Sequence, residues 1–309
     1  MQHYFLHSSN SRRHYRSYKF LVCCAVLFPS IASAIIMRHD VNPDEYRLDE
    51  IEYQSSIAID GCSAALIEPS WILTAAHCIK HFYPVGTKLQ INDESIAVEK
   101  TFSHPEFDPE KTNLHDIALI KLSEPSFGTV PSPLYSGNDE LGQIGKITGF
   151  GFVGNGEEGV LQDWFPNPLH GADNEIAESS AYLLRVRFDS PDEINSLPLE
   201  GVSGAGDSGA PLFINKDGTR YIAGVGSFGG IYYGKFDNFV RVSQELPWLT
   251  QVMGEDYSGE YTGPSYDELQ SQQALTEDDQ SSGGSFGKYI TFGMFFVSIF
   301  RRLIANSKK

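Results

Sequence analysis

Gly206-Asp207-Ser208-Gly209-Ala210-Pro211 puts a serine inside a glycine-rich turn, and Thr74-Ala75-Ala76-His77-Cys78 stands far upstream of it. A serine hydroxyl is a poor nucleophile near neutral pH. It becomes useful beside a base that takes its proton and donors that hold the resulting oxyanion. A serine in such a turn, preceded by a distant histidine and a distant aspartate, is the footprint of that arrangement.

Working outward, the chain from about 57 to 242 consists of short apolar runs broken by Gly, Pro, Asn and Asp. Examples are 63–67, 116–122, 146–152, 182–188, 211–214 and 221–228. Turn-bounded segments rich in β-branched and aromatic residues predict an all-β domain. A helix is expected only at its end, over 242–252, where Leu246, Leu249 and Val252 recur at helical spacing. The sequence shows no internal repeat.

The 309 residues carry 23 basic and 40 acidic side chains, unevenly placed. Residues 1–34 and 281–309 hold only basic ones, so the stretch between them is strongly acidic. Such a surface repels phosphate backbones and argues against nucleic acid as a partner. At the N-terminus, Arg12, Arg13, Arg16 and Lys19 precede an apolar run over 20–31, and Ala32-Ser33-Ala34 reads as a small-x-small cleavage site. Residues 1–34 therefore read as a signal peptide, with export machinery and signal peptidase as partners. Ser11-Arg12-Arg13 also fits a twin-arginine signal. Cys23 and Cys24 would leave with this segment, and Cys62 and Cys78 remain as a pair in an oxidising compartment.

Residues 35–253 form the expected catalytic domain. From 254 to 282 the chain turns polar and acidic, a composition that buries too little apolar surface to order itself, and reads as a linker. Residues 283–309 follow: Gly283-Gly284-Ser285, an aromatic-rich run over 289–300, then Arg301-Arg302. That run is shorter than the roughly 20 residues that span a bilayer comfortably. One reading is an amphipathic terminus. The other is a resemblance to the GlyGly-CTERM sorting tails of bacterial exported proteins, which implies a short hydrophobic transmembrane helix and removal by an intramembrane sorting protease.

Ala75-Ala76-His77-Cys78, Asp116-Ile117-Ala118-Leu119-Ile120 and Gly206-Asp207-Ser208-Gly209-Ala210-Pro211 together resemble the three motifs of the chymotrypsin/trypsin family of serine endopeptidases. Ala210 stands where the family usually has a second glycine. Singly, the histidine could be structural, the aspartate a turn cap and the serine a loop residue; the three in this order, over about 200 residues, are specific. The resemblance implies two antiparallel Greek-key β-barrels with a C-terminal helix and the site between them. It implies Ser208 as nucleophile, His77 as general base and Asp116 as the group that orients the histidine. Gly206 and Ser208 would supply oxyanion-hole N–H groups, and protein or peptide substrates would be cleaved. His115, beside Asp116, reads as a surface or loop residue.

The resemblance further implies a Cys62–Cys78 disulfide pinning the histidine loop. Gly204 and Gly145 stand where other family cysteines often occur. It also implies that a freed N-terminus, on Ile35 or Ile36, inserts against Asp207 once the chain is cut after Ala34. Met37-Arg38 replaces the two glycines the family usually has there. The substrate pocket falls on Val202, Ser203, Ser227, Phe228, Gly229 and Asp237. Asp237 either faces the cavity and attracts Lys or Arg, or is hydrogen-bonded behind the wall and leaves Val202 to form a small apolar pocket. No metal or cofactor is expected, and the acidic stretch 92–99 lacks regular calcium-ligand spacing. A catalytically silent binding module and an esterase on the same fold are the rival functions.

Overall fold

The computed structural model describes residues 35–79, 84–110, 112–162, 166, 168–259, 267, 268 and 271. Residues 1–34, expected to be a signal peptide, and 283–309, expected to be a sorting tail, lie outside them. No helix among the described residues is long and apolar enough to cross a membrane.

Strand β1 (Ile35–Met37) opens the described chain. Strands β2 (Ser56–Ile59), β3 (Cys62–Glu68), β4 (Trp71–Thr74), β5 (Lys88–Ile91), β6 (Glu94–Ser103) and β7 (Ala118–Leu122) form an antiparallel sheet in the order β2-β3-β4-β7-β6-β5. Its ends come back together, β5 against β2, making the first barrel. After β8 (Ile144–Gly149) come the short strands β9 (Val153–Asn155) and β10 (Gly159–Gln162), then β11 (His170–Ser179), β12 (Leu183–Arg187) and β13 (Gly201–Val202). Strands β14 (Pro211–Lys216), β15 (Thr219–Gly229) and β16 (Phe236–Arg241) complete a second, closed barrel in the order β11-β12-β16-β15-β14-β8. A small separate sheet, β10-β9-β1-β13, holds the start of the described chain against it.

Side-chain direction follows the pleat. In β12, Leu184 and Val186 are buried while Arg185 and Arg187 are half-buried on the other face, the alternation expected when one side of a strand meets a core. β3 is buried throughout. One core gathers Leu66, Trp71, Ile72 and Ile120, the other Ile147, Val186, Leu212 and Phe239.

Helix α2 (Val242–Met253) matches the expected 242–252. Its Leu246, Leu249 and Met253, on one helical stripe, pack into a core that gathers residues of both barrels, Ile72 and Ile120 with Val225 and Val240, and its Trp248 meets His104 edge-on. The helix thus straps the two halves together. Residues 254–259, polar in composition and grouped above with the linker, are docked. Trp71 Nε1 donates to Asp256 Oδ2 at 3.2 Å, and Ser258 N donates to Glu68 Oε1 at 3.0 Å.

One element departs from the expectation of a single helix. Helix α1 (Ala76–Ile79) is one turn that follows β4 and carries His77. Four residues are too few to show a 3.6-residue period. Cys62, at the start of β3, is disulfide-bonded to Cys78 of α1 across a sequence separation of 16. Closing a loop of that size is worth about 3 kcal/mol in the chain-entropy picture. Elsewhere backbone contact takes up the space: a Cβ on Gly204 would lie 2.5 Å from the Phe152 carbonyl oxygen.

Candidate active site

His77 follows β4 and Asp116 precedes β7, and the pairing of Thr74 with Ala118 brings both to the same end of the first barrel. His77 Nδ1 lies 2.6 Å from Asp116 Oδ2, and the His77 backbone N–H donates to Oδ1 at 2.9 Å. The aspartate side chain is 3% exposed and the imidazole 36%. A carboxylate accepts only, so Nδ1 carries the proton and Nε2 keeps its lone pair on the open side. Ser227 Oγ donates to the same Asp116 Oδ2 at 2.6 Å. Ser227, expected at the substrate pocket, therefore gives its hydroxyl to the aspartate.

Ser208 sits between two glycines with positive φ, Gly206 at 93° and Gly209 at 82°. At Gly209 the requirement is also one of space: a Cβ there would lie 2.2 Å from Thr74 Oγ1 and 2.3 Å from the Ser63 carbonyl oxygen. This close approach seats the turn against the first barrel. Ser63 N donates to the Ser208 carbonyl at 2.8 Å, and Cys78 Sγ lies 3.6 Å from the same oxygen. The serine turn thus rests on the disulfide that adjoins His77. Among the described hydrogen bonds none joins Ser208 Oγ to His77; such contacts often tighten only when substrate is bound.

Asp207 is completely buried. Its Oδ1 accepts from Gly151 N at 2.7 Å, its Oδ2 from Gly204 N at 2.8 Å, and the carboxylate also takes the Ile35 backbone N–H. Burial outweighs these bonds and pushes the carboxyl up to about 7, with the nearby Asp237 acting in the same direction. Ile35 and Ile36 are fully buried, β1 running antiparallel to β13 and parallel to β9. Ile35 has φ of 80°, a genuine outlier for a β-branched residue.

At the expected pocket, Val202 is fully buried and pairs with Ile36. Asp237 is 2% exposed. Its Oδ2 accepts from Ser203 N at 2.8 Å and its Oδ1 from Asn238 N at 3.0 Å. Burial raises the carboxyl to about 6. A Cβ on Gly229 would lie 2.4 Å from Asp237 Oδ1, so the carboxylate fills the space between Gly229 and the Ser203 backbone. Phe228, by contrast, is 40% exposed at the rim.

His115 is in a loop but its side chain is only 16% exposed, in a cluster with His104, Glu106 and Glu245. The sequence reading did not single out the other three. They lie on two segments far apart in the chain, and no spacing rule links them.

The glycine-flanked serine turn, the aspartate-bound imidazole and the two antiparallel barrels are the combination found in the trypsin-like fold. The family profile described as Trypsin matches residues 40–249, and the chain belongs to the trypsin family of serine peptidases. It is 26% identical over 231 residues to a tryptase of Mus musculus, covering 63% of this chain and 80% of that protein. It is 28% identical over 214 residues to kallikrein-8 of Rattus norvegicus, covering 63% and 77% respectively. It is also 25% identical over 264 residues to ovochymase of Halocynthia roretzi, covering 69% of this chain and 16% of that much longer protein.

Proposed function

We propose that this chain is an exported serine endopeptidase with His77, Asp116 and Ser208 as its catalytic residues. The observation that carries the reading is the 2.6 Å contact between His77 Nδ1 and Asp116 Oδ2, with the serine turn seated on the neighbouring disulfide. Ser208 Oγ attacks the scissile carbonyl carbon as His77 Nε2 takes its proton. The carbonyl oxygen, now negative, is held by the N–H groups of Gly206 and Ser208. Asp116 keeps the imidazole in the required tautomer and stabilises the imidazolium. The proton passes to the leaving amine, and water releases the acyl group by the same steps in reverse.

In this reading residues 1–34 direct export, and cleavage after Ala34 is itself the activating step. The freed Ile35 α-ammonium then meets Asp207, whose carboxylate is already bonded to the nitrogen of that residue. A cut there also relieves the backbone: φ of residue 35 is defined by the carbonyl carbon of residue 34, and strain of this kind costs about 1–3 kcal/mol. The tail 283–309 acts as a sorting segment that tethers the protein to a membrane before its removal. The favoured P1 side chain is small and apolar: Asp237 is buried with both oxygens on backbone amides, and the family resemblance assigns the base of the pocket to Val202.

A fluorophosphonate probe and a casein or peptide substrate test the function together. The mature protein is expected to be labelled and to cleave; Ser208→Ala abolishes both. Labelling without peptide turnover assigns an esterase, and neither, in folded mature protein, assigns a binding module.

A further inference from the structure

Behind Asp116 lies a group of ionisable side chains that the reaction above does not use. His115 Nδ1 is 2.9 Å from Glu245 Oε1, in the first turn of α2, and His115 Nε2 is 3.3 Å from Glu106 Oε2. His104 Nε2 is 3.3 Å from the other oxygen of Glu245. The two imidazoles stack with centroids 4.6 Å apart, and Tyr182 and Trp248 close the sides edge-on.

The protons can be placed from this network. The Glu106 backbone N–H donates to His104 Nδ1 at 3.2 Å, so the His104 proton is on Nε2 and points at Glu245. The three side chains are close enough to bracket a cation, but a metal on His104 Nε2 needs the lone pair that this tautomer lacks. His115 differs: both ring nitrogens face carboxylate oxygens. A neutral imidazole has one donor and would turn a lone pair on the second carboxylate, whereas an imidazolium donates to both.

We propose that His115, as an imidazolium clamped between Glu245 and Glu106, is a positioning residue that pins the Asp116 loop to the C-terminal helix and thereby sets kcat. The inference rests on the assignment of Asp116 to the catalytic site. The connection is covalent and short. His115 has φ of 56°, and its carbonyl accepts from Ile117 N at 2.8 Å, closing a tight turn centred on Asp116, whose side chain reaches His77. A left-handed turn on a residue other than glycine needs its surroundings to hold it.

Charge and pH follow. Burial alone lowers the His115 pKa, but the bond and charge of Glu245, helped by Glu106, outweigh it and raise the group above its ordinary 6.5. His104 is lowered to about 3, by burial first and by the His115 charge second, and stays neutral. Among the described residues the titratable groups facing His115 are Glu245, Glu106, His104 and Tyr182, with Asp116 next to it in the chain. Since the folded pKa is raised, the clamp is complete below pH 6.5 and is lost as pH rises through the folded value.

The test uses the mature protein and two variants. His115→Asn keeps a residue tolerant of the left-handed turn and removes the charge. Glu106→Gln, at an exposed position, weakens the clamp without touching the core. Expected for His115→Asn is a fall in kcat on the order of ten- to a hundredfold with KM unchanged, as for small misplacements of catalytic groups. Expected for Glu106→Gln is a shift of the alkaline limb of kcat to lower pH. In Ser208→Ala protein, histidine NMR should show the His77 Nδ1 proton signal, which reports the bond to Asp116, moving as His115 titrates. An unmoved His77 signal, or an unchanged kcat and limb in both variants, overturns the clamp and leaves the protease reading intact. Absence of any turnover in the parent protein overturns the protease reading, while the NMR titration still judges the clamp.

Discussion

Leaving the bond between Ala34 and Ile35 uncut is the most revealing perturbation. In the uncut chain the partners of the Asp207 carboxylate among the described residues are neutral N–H groups, those of Gly151, Gly204 and Ile35. Burial holds its carboxyl at about 7 against an ordinary 3.8. At 1.36 kcal/mol per pH unit, that is about 4 kcal/mol against the ionised form. The sign is that of a raised carboxyl: the penalty on the ordered turn is absent below about pH 4, grows as pH rises, and is full above about 7. An α-ammonium at Ile35 offsets it. If the cost falls on ordering the turn that carries Gly206 and Ser208, about 4 kcal/mol corresponds to roughly 10³ in rate. The assay compares chains beginning at Ile35 with chains retaining residues before it, normalised by active-site titration. At pH 8 the retained-residue chain should show kcat/KM lower by about 10³, with the gap narrowing toward pH 6 as Asp207 takes up a proton. Equal kcat/KM at pH 8 would refute the reasoning. So would a mature N-terminus found well inside 38–60.

Two further outcomes are expected. Replacing both Cys62 and Cys78 by Ser should cost about 3 kcal/mol, lowering Tm by about 6–12 °C for a domain of this size; an unchanged Tm by calorimetry argues that the bridge constrains nothing. Asp237→Gly should lengthen the pocket and raise kcat/KM for larger apolar P1 residues by about 10–200-fold per added methylene-scale contact; a P1 peptide panel in which the parent prefers Lys or Arg contradicts the small-pocket assignment.

The candidate site was legible where its chemistry is local. Ser208 announces itself because a left-handed turn on each side needs glycine, and His77 because Ala75, Ala76 and Cys78 adjoin it in one contiguous motif. The β-rich pattern gave the strands, and a stripe of leucines gave α2. Helix α1 was not visible, because a single turn has no period to detect. Ser227 could be placed near the substrate but not bonded to Asp116, since that contact joins residues 111 apart. The direction of Asp237 depends on the register of β15 against β16, which contains a bulge between Gly226 and Phe228. The His104–His115–Glu245 group is assembled by α2 crossing back to the first barrel, an event no linear spacing encodes.

The bridge between Cys62 and Cys78 lies wholly beside the imidazole. In the other half, the loop through Gly204 is secured by backbone N–H groups donating to the buried Asp207 and Asp237 carboxylates and by direct main-chain contact. A mild thiol reductant would therefore loosen the histidine loop and the serine turn that touches it, and leave the Gly204 loop as it was. Under such treatment proton abstraction should fail while selectivity among the peptides still cleaved stays as it was, which makes reductant a chemical means of dissecting the two halves of the cleft.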